Sequence, residues 1–264
     1  MTCRVKVEGT ALEDQFCVVS CEVTAPELYE LFVRCIGAAI EKLPSSAATR
    51  EIEYCILSLR DLFRALSLPG GREISGLWAE LFVIETCGNP AHALSVWHED
   101  QFDKFDFSNG AMRLEVKSSV RGFRAHEFAL EQLEVPNEGA GYVASMLLQP
   151  LTGGIGVLDL ARNIEVGISN TSLKRKLWHS VATTLGGDFS EKLDKRYDRT
   201  FAERTLMLYS MNDIPRPNAT TDPRISAIRF VSDLTTVVSS LPDRPRATLV
   251  EIFSAADKTE PSPG

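Results

Sequence analysis

Hydrophobic positions in this chain recur with a period of either two or about 3.6, and the switches between the two mark its elements. Residues 1 to 10 and 15 to 23 read as strands, the second from the short run Phe16-Cys17-Val18-Val19. Thr24-Ala25-Pro26 then opens a helix to about residue 43, with Leu28, Leu31, Phe32, Cys35, Ile36, Ala39 and Ile40 as its apolar stripe. A second helix over about 49 to 66 carries Ile52, Cys55, Ile56, Leu59 and Phe63, and it closes at the Pro69-Gly70-Gly71 loop. Ile74, Leu77, Trp78, Leu81 and Phe82 predict a third helix over 74 to 85, with Gly76 and Glu80 together on the flank of its stripe. A glycine inside a helix costs about 1 kcal/mol against alanine, so a close approach to a neighbouring element would compensate for Gly76.

Further along, Phe128, Leu130 and Leu133 predict an amphipathic helix over about 126 to 134, followed by strands at 141 to 149 and near 155 to 158. The Gly153-Gly154-Ile-Gly156 cluster reads as a hairpin loop and not as a phosphate cradle. The last third reads as helices at 171 to 184 and 188 to 196, strands near 202 to 210 and 225 to 231, and a frayed tail over 257 to 264. The break at residue 70 separates a strand-and-helix lobe, 1 to 70, from a larger unit, 71 to 256. The pattern as a whole is that of an α/β protein.

Between the third helix and residue 126 lies the stretch that carries chemistry, Asp106-Phe-Ser-Asn-Gly-Ala-Met-Arg-Leu-Glu115-Val-Lys117. Asn109-Gly110 is a strong type I′ hairpin signal, because both central positions need positive φ. With those two residues as the loop, Asp106 faces Arg113 and Lys104 faces Glu115. Asp106, Arg113, Glu115 and Lys117 then share one face, while Met112, Leu114 and Val116 take the other as core. Asp103 has the wrong parity. Two carboxylates a few ångströms apart repel by roughly 3 kcal/mol at an effective dielectric near 20. A divalent cation removes that penalty, and hard oxygen ligands select Mg²⁺ or Mn²⁺. A lysine two positions beyond the second carboxylate lands beside them, where it can orient a water or offset charge developing on a phosphate. On residues alone, an ordinary strand face of alternating charges is the competing reading.

Composition narrows the setting. The chain has 264 residues, 44% of them hydrophobic, enough for a sizeable core. No apolar run approaches a membrane span and the start has no signal-peptide core, so a soluble, cytoplasmic protein is expected. The six cysteines, at 3, 17, 21, 35, 55 and 87, form no Cys-x-x-Cys pair and read as buried thiols, and His92, His98, His126 and His179 show no ligand spacing and read as incidental. A net charge of −8 argues against strong unaided DNA binding, since that affinity comes from neutralising phosphates. Arg121 and Arg124, Lys174-Arg175-Lys176, and Arg196, Arg199 and Arg204 are local basic groups that read first as solvated faces.

The segment around Glu115 resembles the core of the PD-(D/E)XK nuclease superfamily, and more closely the bacterial PD-(D/E)XK motif proteins often found in phage-defence gene clusters. The resemblance rests on Gly76-Leu-Trp-Ala-Glu80-Leu-Phe, Trp97, Asp106-Phe107, Glu115-Val-Lys117-Ser-Ser and Glu127-Phe-Ala-Leu-Glu-Gln132-Leu, in that order, with a weaker echo at Pro215 and at Ile225 to Leu234. Phe105 stands where the superfamily name has proline. The resemblance implies a restriction-endonuclease-like core, a mixed β-sheet flanked by helices, in the 71 to 256 unit. It also implies a Mg²⁺-dependent endonuclease, with Mn²⁺ as a substitute, acting on DNA. Asp106, Glu115 and Glu80 would hold the metal, Lys117 would position the water or stabilise charge, and Gln132 would assist. The family setting implies antiphage defence beside an ATPase or helicase and a methyltransferase, and one active site per chain suggests a homodimer for double-strand cutting. A catalytically silent nuclease-fold scaffold that binds a partner protein or DNA is the other reading.

Overall fold

A computed structural model describes residues 2–7, 9–15, 19, 26–65, 73–98, 103–135, 139–186, 189–218, 224–225 and 227–254. Strands β1 (Thr2–Val7) and β2 (Thr10–Gln15) form an antiparallel hairpin across Gly9, whose φ of 85° suits glycine. One hairpin thus replaces the single strand expected over 1 to 10. The strand expected at 15 to 23 lies outside the described residues, except for Gln15 and Val19.

Helix α1 (Pro26–Ile40) begins on a proline, which lacks only an amide that the first turn leaves without an intrahelical partner. Helix α2 (Thr49–Ala65) follows. Leu31, Cys35, Leu59 and Leu62 join one buried cluster with α3 (Ile74–Thr86). A helix α4 (Pro90–Val96) that the periodicity does not announce is capped by the Asn89 side chain, which accepts from the His92 amide at 3.1 Å.

The central sheet comprises β3 (Phe107–Asn109), β4 (Met112–Ser119), β6 (Ala140–Leu147) and β8 (Met207–Ser210) in the order β3-β4-β6-β8. The outer pairs are antiparallel and β4 runs parallel to β6, with Glu115 beside Val143 and Lys117 beside Ser145. It is a mixed sheet. Between β4 and β6 the chain forms β5 (Ala125–Ala129) and a 3₁₀ turn, Leu130–Leu133, in place of the expected helix at 126 to 134. His126 and Phe128 are buried while Glu127 is exposed, a strand alternation that only becomes decisive because β9 (Arg229–Asp233) pairs with it from a hundred residues away.

After β6, β7 (Pro150–Ile155) holds Gly153 and Gly154, and α5 (Val157–Val166) starts where a strand was expected at 155 to 158. The glycine cluster is therefore a strand-to-helix junction and not a hairpin loop. A Cβ on Gly154 would lie 2.4 Å from the Tyr197 carbonyl oxygen, and the Asp159 carboxylate accepts from the Gly156 amide at 2.8 Å. That carboxylate, with Arg196 bonded to it, already fills the start of α5.

Helices α6 (Thr171–Leu185), α7 (Phe189–Leu193) and α8 (Arg199–Thr205) follow, so the first half of the strand expected at 202 to 210 is helical and β8 takes only its end. Likewise the strand expected at 225 to 231 begins at Arg229, and a helix α9 (Pro245–Ser254) comes after it. Leu114, Val116, Ala144 and Met146 of the sheet share the large core with Trp78, Phe82, Leu160 and Trp178 from the helices. Trp78 stacks on Phe82 at 5.3 Å and donates from its indole to the Ile155 carbonyl. A smaller cluster, with Phe105, Phe128, Val143, Tyr209 and Leu234, covers the opposite face. Burial pushes the Cys35 thiol up to about 12 and Cys87 up to about 11, as unreactive core thiols require. Among the described residues no helix is long and apolar enough to cross a membrane.

Candidate active site

The hairpin turns one position later than its Asn-Gly dipeptide suggests. Asn109 pairs with Met112, so Gly110 and Ala111 form the loop. Gly110 has a φ of 50° and Ala111 is not among the positive-φ residues, the type II′ pattern and not type I′. Two contacts favour this choice: Asn109 Nδ2 lies 3.2 Å from His92 Nε2, holding Asn109 in the strand, and Arg113 donates to the Gly110 carbonyl at 2.6 Å. The register moves by two residues, an even number, so the face assignment survives. Phe107 now faces Leu114, and one step outward Asp106 comes across from Glu115 instead of Arg113. The pairing of Lys104 with Glu115 is likewise lost.

That correction draws the carboxylates closer. Asp106 is 8% exposed, and its Oδ2 accepts from the Val116 amide at 2.7 Å, at the residue between Glu115 and Lys117. Its own carbonyl accepts from the His98 amide at 2.9 Å, and Trp97 bridges to Phe107 beside it. The sheet edge thus continues into 97–98 and fixes His98 next to Asp106.

Glu80 comes from α3, which is buried nearly all round, and it is only 1% exposed. Glu80 is thus a buried carboxylate and not a solvated one on a helix surface. Its Oε2 accepts from the Trp97 indole at 2.8 Å and lies 2.9 Å from His98 Nε2. One ligand atom each from Glu80, His98 and Asp106 lie within 4.8 Å of one another. Two carboxylates at that separation repel by about 3 kcal/mol at an effective dielectric near 20, and two oxygens with one imidazole nitrogen form a donor set suited to a divalent cation. Gly76, on the same helix, has no tight neighbour: an added Cβ would meet nothing within 4 Å. The close approach expected there is absent.

Glu115, 3% exposed, is held by two donors on Oε1, Lys117 Nζ at 2.7 Å and Gln132 Nε2 at 2.8 Å. Gln132 is placed by the 3₁₀ turn, where its Oε1 accepts from the Ala129 amide at 3.0 Å. Lys117 Nζ also sits 5.1 Å over the Phe128 ring. Behind it, His126 contacts Ser145 Oγ at 2.8 Å, and burial, then the positive charges of Lys117 and Arg124, push the His126 imidazole down to about 4.

The structure so brings Glu80 to Asp106, Asp106 to the strand bearing Glu115, and Lys117 and Gln132 to Glu115. It adds His98, which spacing alone passed over as incidental. Its one signal was adjacency to Trp97. Several of the basic groups are paired within the fold: Arg124 donates to the Ser145 carbonyl at 2.8 Å and to the Thr205 carbonyl, Arg196 pairs with Asp159, Arg199 with Glu85, and Lys176 donates to the Trp97 carbonyl. Arg121 and Arg204 are exposed.

Comparison with known proteins places these elements in one family. A family model described as "Putative PD-(D/E)XK family member, (DUF4420)" matches residues 3–235, a span that contains every residue of the site. No curated protein and no solved structure matches the chain. With that match covering most of the sequence, and with a mixed sheet flanked by helices in restriction-endonuclease-like fashion, the chain belongs to this PD-(D/E)XK family.

Proposed function

We propose that the protein is a metal-dependent nuclease that hydrolyses phosphodiester bonds in DNA. The observation that carries this reading is the cluster of Glu80, His98 and Asp106 ligand atoms, with Asp106 bonded to the Val116 amide on the strand whose Glu115 holds Lys117. Glu80, Asp106 and Glu115 would hold Mg²⁺ or Mn²⁺, which when bound supplies Lewis acidity and a more acidic water. Lys117, anchored at 2.7 Å to Glu115, presents its ammonium where negative charge grows on the phosphoryl oxygens as water attacks phosphorus and the ester oxygen departs. Gln132 holds Glu115 in one rotamer, and Trp97 does the same for Glu80. Burial of the three carboxylates strengthens each of these interactions.

The net charge of −8 makes recruitment by a partner the natural route to DNA. The resemblance to phage-defence proteins supports antiphage defence as the setting, with an ATPase or helicase or a methyltransferase as partner and a homodimer for double-strand cutting. The test is cleavage of plasmid and linear DNA with Mg²⁺ or Mn²⁺, alone and with the proteins of neighbouring genes. Cutting that requires the metal and disappears in Asp106→Ala and in Lys117→Ala is expected. No cutting under any condition, with no metal bound by calorimetry, would leave the silent scaffold as the function.

A further inference from the structure

We infer that His98 is a nitrogen ligand of the cation at this site, and that it turns the site's preference from Mg²⁺ toward Mn²⁺. The inference rests on the metal-dependent reading above. His98 Nε2 lies 2.9 Å from Glu80 Oε2, and both lie within 4.8 Å of an Asp106 oxygen. Two ligands about 2.1 Å from an octahedral ion, at right angles, are about 3 Å apart, so the Glu80–His98 spacing matches one edge of such a shell.

The imidazole is also built in and not a mobile surface group. Its side chain is 9% exposed, its backbone amide is bonded to the Asp106 carbonyl at 2.9 Å, and its ring meets the Trp97 ring edge-on at 5.1 Å. Trp97 in turn donates to the same Glu80 oxygen that faces His98, fixing the carboxylate at the pair. Orientation of ligands by a surrounding layer of hydrogen bonds is the usual construction of a metal site.

The donor chemistry then sets the selectivity. Mg²⁺ holds to oxygen ligands, whereas Mn²⁺ shares its taste for carboxylates but, as the first member of the transition series, also accepts an imidazole nitrogen. Adding the imidazole to the carboxylates makes a mixed set that Mn²⁺ accepts more readily than Mg²⁺. If His98 and Glu80 were only a hydrogen-bonded pair, the imidazole would contribute nothing to selectivity.

The experiment titrates the full chain with Mn²⁺, following free Mn²⁺ by electron paramagnetic resonance, then competes with Mg²⁺. The wild type is expected to require at least about tenfold excess Mg²⁺ for half displacement, and its bound Mn²⁺ to show ¹⁴N hyperfine coupling. In His98→Gln, which offers an amide oxygen, Mn²⁺ affinity should fall about tenfold or more, Mg²⁺ should compete near parity, and the ¹⁴N coupling should vanish. His98→Asn provides the same comparison in a shorter side chain, with thermal melting to confirm that each variant is folded. Unchanged Mn²⁺ binding in His98→Gln, or an equal loss for both metals, would overturn the role of His98 while leaving the site standing. Undiminished Mn²⁺ binding in Asp106→Asn would overturn the site itself and His98 with it.

Discussion

Two buried polar clusters meet at Lys117, and they solve the problem of burying charge in opposite ways. On the basic side, Arg124 donates to the Ser145 carbonyl and hydroxyl at 2.8 and 2.9 Å and to the Thr205 carbonyl, while His126 rests on the same hydroxyl. Main-chain oxygens complete that cluster within the fold. On the acidic side, Glu80 of α3 meets Asp106 beside β3, with ligand atoms of Glu80, His98 and Asp106 inside 4.8 Å, while buried Glu115 lies across from Asp106 on β4. Two buried carboxylates brought this close repel each other, and a bound cation would offset that repulsion. Burial alone does not separate structure from function; the identity of the partners does.

The contrast makes the two clusters respond differently to substitution. The largest effect is expected from Lys117→Ala, which should lower metal-dependent cleavage at least about a hundredfold in a plasmid assay while the variant remains folded by thermal melting. Comparable activity would detach the lysine from the chemistry. Arg124→Met should do the reverse. It leaves two buried carbonyls without their donor, costing about 3 kcal/mol, or a melting temperature lower by about 6 to 12 °C, with Mn²⁺ affinity of the folded protein unchanged.

His126 gives a pH signature. Its folded pKa is pushed down to about 4 from an ordinary 6.5, so the unfolded chain binds the extra proton between those values. Its stabilising contribution is therefore full above about pH 6.5 and is lost as pH falls toward 4, by up to about 3 kcal/mol. Denaturant titrations at pH 7 and 4.5 should show that His126→Gln loses less stability than the wild type over this range; equal losses would contradict the assignment. The smallest effect belongs to Gly76→Ala. With no atom within 4 Å of the new Cβ, the substitution should raise stability by about 0.5 to 1 kcal/mol through helix propensity, without altering cleavage. A loss of stability would reveal a contact at that helix face.

Much of this arrangement was legible in the residues themselves. The 3.6 period over 74 to 85 locates α3, and the alternation through Leu114, Glu115 and Val116 puts the carboxylate opposite the core. The turn was misplaced by one residue because Asn-Gly outweighs Gly-Ala as a local signal, while the bond from Asn109 to His92 depends on α4 and is invisible locally. Parity protected the conclusion. The segment 125–129 was harder, because Phe128, Leu130 and Leu133 satisfy a helical pattern and the partner strand β9 lies far downstream. His98 was missed for a related reason: it is 18 residues from Glu80 and joins it only once Trp97–His98 docks beside Asp106–Phe107. Ligands that converge through tertiary pairing leave no spacing to read.

The most direct test of the central claim, that the acidic cluster is a cation site, is anomalous diffraction from crystals of the full chain soaked in Mn²⁺. The expected result is a peak within about 2.5 Å of the Glu80, Asp106 and His98 ligand atoms, lost in Asp106→Asn crystals. A Mn²⁺ peak elsewhere with none at these residues, or no peak at all at saturating Mn²⁺, would contradict it.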